Sequence, residues 1–156
     1  MERLELSYDH LGSRLSQIGQ IEIRYDHLGA RPKWLGNLEL SFDHLGSRLT
    51  KIGQIEIRYD HLGARPKWLG SAELSYDRLG SRLSKIGQTE LRYDHLGSRL
   101  KGIGGMELHY DRLGSRPKYV ERQSAAPLTE QEVVLLFFVL YEQHRQQEQQ
   151  QQQQQR

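Results

Sequence analysis

The chain has 156 residues, 36% of them hydrophobic, and a formal net charge of +2 at neutral pH. Because positive and negative residues are interspersed along it, the composition argues against a nucleic-acid-binding surface and favours a solvated surface with ion pairs. The absence of cysteine excludes a disulfide framework and any thiolate metal site.

Residues 4–122 consist of one 17-residue unit repeated seven times. The copies begin at Leu4, Ile21, Leu38, Ile55, Ala72, Thr89 and Met106, and no insertion or deletion separates them. This period predicts a repeat architecture in which the placement of one copy determines that of the next. Residues 4–37 and 38–71 are nearly identical, which indicates recent duplication of a pair of copies.

Each unit contains two strand patterns and two turn patterns. We number its positions 1 to 17, starting at Ile21 in IEIRYDHLGARPKWLGN. Position 2 is always Glu, position 3 is apolar and position 5 is aromatic, and this alternation predicts a half-buried strand. Position 6 is always Asp and position 9 always Gly, which predicts a chain reversal. Position 11 is always Arg, positions 12 and 15 are apolar and position 16 is Gly in six copies, so we expect a second short strand that ends in a tight turn.

The motif formed by Tyr8, Asp9, Gly12, Arg14 and Leu15 resembles the YD repeat of the rearrangement-hotspot and teneurin families. The match recurs in all seven copies, although Phe replaces the Tyr once, and one extra residue separates the Gly from the Arg. The resemblance implies that each repeat is a β-hairpin and that successive hairpins form an antiparallel strip. The whole chain is also similar to short, uncharacterised cyanobacterial proteins made of tandem YD-type units that end in one helix.

Two arrangements of the hairpins agree with this pattern. A meander keeps like-numbered charges of successive copies two strands apart, whereas a β-solenoid stacks them at about 4.8 Å, which is unfavourable. Against the meander, Pro32, Pro66 and Pro117 occupy position 12, where a central strand needs an amide donor. Positions 12 and 15 also have opposite parity, so a bulge or corner is expected between them. We predict a mainly β fold, an antiparallel β-hairpin meander of seven repeats with the β-solenoid as the alternative, closed by one C-terminal α-helix.

Histidines recur at position 7, directly after the Asp of the first turn: His10, His27, His44, His61 and His95. Aligned imidazoles and carboxylates are able to bind a divalent metal or to respond to pH. Arg replaces His in two copies, and residues at turn tips are usually solvated. We therefore predict neither a metal site nor a cofactor.

The invariant polar positions are interpreted as structural rather than catalytic. Glu22, Tyr25, Asp26, Gly29 and Arg31 have counterparts throughout the repeats, whereas catalytic groups occupy unique positions. The Asp is expected to fix the turn and the Arg to bridge neighbouring strands. We predict a structural repeat network and no enzymatic activity.

Aromatic residues stand at position 14 in three copies, and they are the candidates for ligand binding. Trp34, Trp68 and Tyr119 each follow a Pro and a Lys in a PKW or PKY sequence. Aromatic rings beside a cation are typical of surfaces that bind sugars, bases or peptides. The alternative is that these rings cover the bulged corner of the sheet.

A different segment follows the repeats. Residues 123–128 are a predicted linker, and Thr129 with Glu132 forms the capping box of a helix that we place at residues 129–145. The nine apolar or aromatic residues from Val133 to Tyr141 exceed the single stripe that packing on a sheet requires. The surplus surface predicts self-association or binding of a protein partner through Val133, Leu136, Phe137, Phe138, Leu140 and Tyr141. The alternative is a monomer whose own core buries the whole helix. Residues 146–156 are a Gln-rich tail, expected to be helical for one or two turns and then frayed.

Neither end of the chain predicts a membrane segment. The first repeat begins directly after the N-terminus and leaves no room for a secretory signal, and the apolar run is shorter than the roughly 20 residues that span a bilayer. We expect a cytoplasmic protein that binds neither membrane nor nucleic acid.

The repetition favours a non-enzymatic role. A chain whose copy number has changed by duplication is typical of structural scaffolds, and a strip of hairpins leaves an exposed sheet edge at both ends for assembly. We predict a structural, self-assembling or protein-interaction scaffold, and the alternative is a carbohydrate- or peptide-binding repeat module.

Overall fold

A computed structural model describes residues 2–9, 14–26, 31–43, 48–60, 65–77, 82–94, 99–111, 116–124 and 126–154, with the side chains described up to residue 146. The predicted histidine series and the position-9 glycines, Gly29 among them, lie outside these residues. The chain divides into two compact units, Met1–Ala125 and Ala126–Arg156.

Each repeat of the first unit contributes two short strands. The strands are β1 (Glu2–Tyr8), β2 (Leu15–Ile18), β3 (Ile21–Tyr25), β4 (Pro32–Leu35), β5 (Leu38–Phe42), β6 (Leu49–Ile52), β7 (Ile55–Tyr59), β8 (Pro66–Leu69), β9 (Ala72–Tyr76), β10 (Leu83–Ile86), β11 (Thr89–Tyr93), β12 (Leu100–Ile103), β13 (Met106–Tyr110) and β14 (Pro117–Arg122). Every strand pairs antiparallel with the next, so the predicted hairpin meander is confirmed.

The meander closes on itself, because β1 pairs with β14 and completes a barrel. In this pairing Val120 faces Leu4 and Tyr119 faces Glu5. Position 15 therefore meets position 1 and position 14 meets position 2, as they do where Leu35 faces Leu38 between two linked copies. The expectation of exposed edges at both ends of the sheet is wrong, because the last copy continues into the first in the register of all the others. We call this β14–β1 junction the seam.

The predicted bulge lies at position 13. Arg24 faces Trp34, and the next pair along the strands is Tyr25 with Pro32, so Lys33 is an extra residue in β4. The bulge restores positions 12 and 15 to one face of the sheet. Pro32 is the first residue of its strand, a position at which a missing amide donor is tolerated. Proline at position 12 is thus compatible with the meander.

The turn that links one copy to the next requires glycine. Gly36 has a φ of 60° and, with Asn37, connects the facing residues Leu35 and Leu38. A two-residue hairpin with a positive φ at its first central residue matches a type II′ turn. The amide of Gly36 also donates to the carbonyl of Glu22 at 2.8 Å. The same hydrogen bond recurs at the five other position-16 glycines, which all have φ between 56° and 61°.

The core of the first unit comes from three positions of the repeat. Positions 3 and 15 are buried in all seven copies, and position 12 is buried in copies two to seven, whereas position 2 is exposed in most copies. One sheet face therefore carries the apolar side chains, which explains how a chain of modest hydrophobic content builds a core.

The second unit contains one helix, α1 (Glu130–Gln154). The amide of Glu132 donates to Thr129 Oγ1 at 3.1 Å, and the amide of Thr129 donates to Glu132 Oε1 at 3.0 Å, so the predicted capping box is present. The helix is predicted at residues 129–145 with one or two further turns in the tail, and it extends to Gln154 because glutamine is a good helix former. Among the described residues, no helix combines the length and the apolar character needed to cross a membrane.

Candidate functional site

Three side chains form a recurrent contact set between neighbouring copies. Between copies three and four, the hydroxyl of Tyr59 donates to the carbonyl of Leu49 at 2.8 Å. The guanidinium of Arg48 lies 4.6 Å from the centre of the Tyr59 ring, and its Nε donates to Asp43 Oδ2 at 2.8 Å. The Asp at position 6 thus pairs with the Arg at position 11 of the same copy, and this Arg lies over the aromatic ring at position 5 of the next copy.

The contact between Arg and the aromatic ring recurs around the barrel. An Arg at position 11 lies over the aromatic ring of the following copy in all seven cases: Arg14 over Tyr25, Arg31 over Phe42, Arg48 over Tyr59, Arg65 over Tyr76, Arg82 over Tyr93, Arg99 over Tyr110 and Arg116 over Tyr8. The last of these crosses the seam, where the Tyr8 hydroxyl also donates to the carbonyl of Pro117 at 2.8 Å. The seam therefore shares the register, the Arg–aromatic contact and the tyrosine hydrogen bond of the other interfaces, whereas Asp111 of the last copy lies 3.5 Å from Lys118.

The structure brings together two of the five residues predicted as a repeat network. Arg31 lies 3.4 Å from Asp26, and the amide of Asp26 donates to the carbonyl of Arg31 at 3.1 Å. Tyr25 belongs to the preceding interface, where it donates to Leu15. Glu22 lies on the exposed face and takes part through its carbonyl, as described above for Gly36. Gly29 lies outside the described residues.

The buried tyrosines act as hydrogen-bond donors and not as bases. Burial raises the pKa of Tyr110 to about 12, against an opposing effect of Arg99. Burial raises the pKa of Tyr8 as well, and Arg116 opposes it. Both phenols stay protonated at neutral pH, which suits their role as donors to backbone carbonyls.

The two tryptophans stand in equivalent rows on the outer face. Trp68 faces Arg58 on one neighbouring strand and Glu73 on the other. The guanidinium of Arg58 lies 5.3 Å from the ring, and Lys67 Nζ lies 3.2 Å from Glu73 Oε2.

The corresponding row at Trp34 has nearly the same dimensions. Arg24 lies 5.5 Å from the Trp34 ring, and Lys33 lies 3.2 Å from Glu39. Both rings are half-buried. We call the rows Arg24–Trp34–Glu39 and Arg58–Trp68–Glu73 the aromatic platforms.

An open cavity of about 880 Å³ adjoins the second platform and extends across β7, β8 and β9. Its walls carry three cations and three carboxylates: Arg58, Arg65, Lys67, Asp60, Glu73 and Asp77. Hydrogen-bond donors and acceptors are therefore balanced, and the charge does not favour a polyanion. Beside the Trp68 ring, such a surface fits a neutral ligand with an apolar face and polar edges.

Tyr119 differs from the tryptophans, because side chains from both neighbouring strands contact its ring. His109 stacks on it at 4.6 Å with an interplanar angle of 8°, and the Arg3 guanidinium lies 3.7 Å from its centre. His109 Nε2 also lies 2.8 Å from Glu121 Oε1. Tyr119 is thus part of the seam.

The three aromatic candidates do not share one surface. They belong to copies two, four and seven of a closed ring of seven, so at least one other copy lies between any two of them. Sequence reasoning did not find the seam residues Arg3, His109 and Glu121. The available signal was that His at position 4 and Glu at position 16 occur in the last copy alone.

The predicted assembly residues of α1 are mostly buried. Val133, Leu136, Phe137, Phe138 and Leu140 have exposed fractions of 0–8%, and Tyr141 is half-buried. Glu142 is buried too, and it accepts a hydrogen bond from Arg145 at 2.9 Å. These apolar side chains do not supply the exposed surface that self-association through them requires.

Within the described part of the chain, no three His, Cys, Asp or Glu residues lie close enough together to hold a metal ion. Comparison of the chain with models of protein families, with characterised proteins and with solved structures gives no match. The resemblance to YD repeats stays a prediction from the repeated motif.

Proposed function

We propose that this protein is a non-enzymatic scaffold that binds or assembles with other protein molecules. The observation that carries the proposal is the recurrence of the contact between an Arg and an aromatic ring at all seven interfaces, the seam included. A body built in this way repeats most of its surface features, which is typical of scaffolds, whereas catalytic groups occupy unique positions.

The Gln-rich end of α1 is the segment to which we assign association. The apolar residues before it are buried, whereas residues 146–154 continue the helix with eight glutamines and one glutamate. Glutamine tracts associate through side-chain amides that donate and accept hydrogen bonds. A cytoplasmic location agrees with this role.

Light scattering over a range of protein concentrations tests this assignment. We expect the mean mass of the full chain to rise with concentration, and a chain that ends at Arg145 to keep the monomer mass at every concentration. A matched control replaces the glutamines of the tail with serines and keeps its length. Equal behaviour of the full, shortened and serine-containing chains would contradict association through the tail.

A second candidate function is recognition of a carbohydrate or a peptide at the two aromatic platforms. The supporting observation is that other copies carry Gln17, Lys51, Lys85 or Gly102 at position 14 with the same strand pairing. The fold therefore does not need a tryptophan at this position. Two half-buried rings that the architecture does not require are available for a ligand.

Tryptophan fluorescence measures this binding directly, because Trp34 and Trp68 are the only tryptophans in the chain. We expect neutral oligosaccharides or short peptides to shift the emission in a saturable way. Trp34→Lys and Trp68→Lys place the residue of copies three and five at position 14, so each variant should fold and lose half of the binding sites. Lys51→Ala is the matched control. An emission that no oligosaccharide or peptide changes at millimolar concentration would reject this candidate.

A further inference from the structure

The seam shares its register and its Arg–aromatic contact with the interfaces between linked copies. Positions 15 and 14 of the last copy meet positions 1 and 2 of the first, in the register found between linked copies. Arg116 lies 4.1 Å from the centre of the Tyr8 ring, and the corresponding distances at the other interfaces are 4.1–4.7 Å. The contacts of β14 therefore depend on the sequence of a β1 strand and not on its belonging to the same chain.

The seam differs from the other interfaces in having no covalent connection. Two-residue turns join consecutive copies, whereas β14 and β1 lie near opposite ends of the chain. Separation of the seam breaks no turn and exposes two complementary strand edges, which are templates for pairing with another chain.

We propose that the seam is also an interface between two copies of this chain, in which β14 of each copy pairs with β1 of the other. Such an exchange keeps the number of paired interfaces per chain unchanged, and the two reciprocal junctions close the assembly as a dimer. In dilute solution the chain's own β1 has the higher effective concentration and the monomer predominates. The dimer forms when the protein refolds at high concentration. This interface goes beyond the scaffold proposal and does not involve the Gln-rich tail.

Cysteine cross-linking tests the exchange, because the natural chain contains no cysteine. Arg3 and Glu121 face each other across the seam, at a separation that suits a disulfide. An equal mixture of Arg3→Cys and Glu121→Cys chains is refolded at high concentration and then oxidised. We expect a covalent dimer at twice the chain mass that contains one chain of each kind.

The matched control places the cysteines at an internal interface. Lys51 and Glu56 face each other between β6 and β7, which one turn connects. A mixture of Lys51→Cys and Glu56→Cys chains, treated in the same way, is expected to stay at the monomer mass. Equal cross-linking in the two mixtures would overturn the proposal.

A chain with both Arg3→Cys and Glu121→Cys, in which serines replace the glutamines of the tail so that the tail does not associate, supplies the second test. Oxidised as a dilute monomer, it should stay monomeric when it is unfolded, concentrated and refolded, and reduction should restore the dimer. Dimerisation of the oxidised form would place the association elsewhere and overturn the proposal. If a substitution prevents folding, the natural chain is refolded at several concentrations and its mass is measured. A monomer mass at every concentration would also overturn the proposal.

Discussion

The seam and the six turn-linked interfaces have the same register, and they are held together by different means. At a linked interface two register pairs lead into a turn with glycine at positive φ, as at Gly36. At the seam the strands continue past the place of the turn and form four register pairs. Glu121 stands where the other copies have glycine, because the chain does not reverse there.

Side chains replace the missing covalent connection at the seam. Arg122, 4% exposed, donates to Glu2 at 2.9 Å, and Arg3 lies over Tyr119. Closing a ring without a turn costs chain entropy, which contacts at the junction have to offset. The comparison teaches that the residues by which the end copies depart from the repeat are the residues that close the barrel.

The largest losses of stability are expected from two substitutions, one in the core of a linked interface and one in the ion pair of the seam. Ile52→Ala removes a side chain of 0% exposure and should lower the free energy of unfolding by about 2–5 kcal/mol. Arg122→Ala should cost about 3 kcal/mol, because it leaves the partly buried Glu2 carboxylate unpaired. Chemical denaturation measures both. A loss below about 1 kcal/mol for Arg122→Ala would show that the ion pair does not hold the seam.

Alanine at position 16 tests whether glycine is required in the turns between linked copies and not at the seam. At Gly53, with φ of 60° and a Cβ site 2.9 Å from Leu38 Cδ2, alanine should cost about 1–2 kcal/mol for the left-handed backbone, and crowding adds to this. At Glu121, which has no positive φ, alanine should cost about 1 kcal/mol or less through loss of the contact with His109. Thermal unfolding of both variants shows which substitution destabilises the protein more. A larger loss for Glu121→Ala than for Gly53→Ala would contradict the explanation that only the turn needs glycine.

Removal of single hydroxyls tests the equivalence of the interfaces. Tyr59→Phe and Tyr8→Phe each remove one hydrogen bond to a backbone carbonyl, and each should lower the free energy of unfolding by about 0.5–1.5 kcal/mol. Phe42→Tyr adds the hydroxyl that copy three lacks and should stabilise by a similar amount. Unequal losses at Tyr8 and Tyr59 in chemical denaturation would show that the seam is energetically distinct.

The smallest expected effect is a change in the pH dependence of stability, which is absent at neutral pH and appears in alkaline solution. The pKa of Tyr110 rises from 10.0 to about 12 on folding, so the folded chain retains this proton after the unfolded chain has released it. The corresponding stability is complete below pH 10 and is lost as the pH rises through 12. Denaturation midpoints between pH 9 and pH 12 should fall less for Tyr110→Phe than for the natural chain. Parallel curves for the two proteins would contradict this prediction.

The strands, the bulge and the turns were predictable, because local sequence specifies them. Alternation over positions 1 to 5, glycine at position 16 and the parity conflict between positions 12 and 15 each depend on a few consecutive residues. The closure was not predictable, because the total curvature of seven hairpins depends on the twist accumulated over all the strands. Burial of the α1 side chains was one of two alternatives that the sequence left open, since an apolar run indicates the need for burial and does not identify what satisfies it.

By itself, the sequence determined that seven equal hairpins follow one another in one register, because the residues that specify the turn, the bulge and the buried face all lie within one 17-residue repeat. Only the tertiary structure decided that the seventh hairpin pairs with the first. Because of this pairing Tyr119 lies in the seam, and Trp34 and Trp68 remain as the ligand candidates. The physical reason is that contacts between β14 and β1 join residues more than 100 positions apart. No local pattern reports such contacts, except through the few residues of the end copies that depart from the repeat.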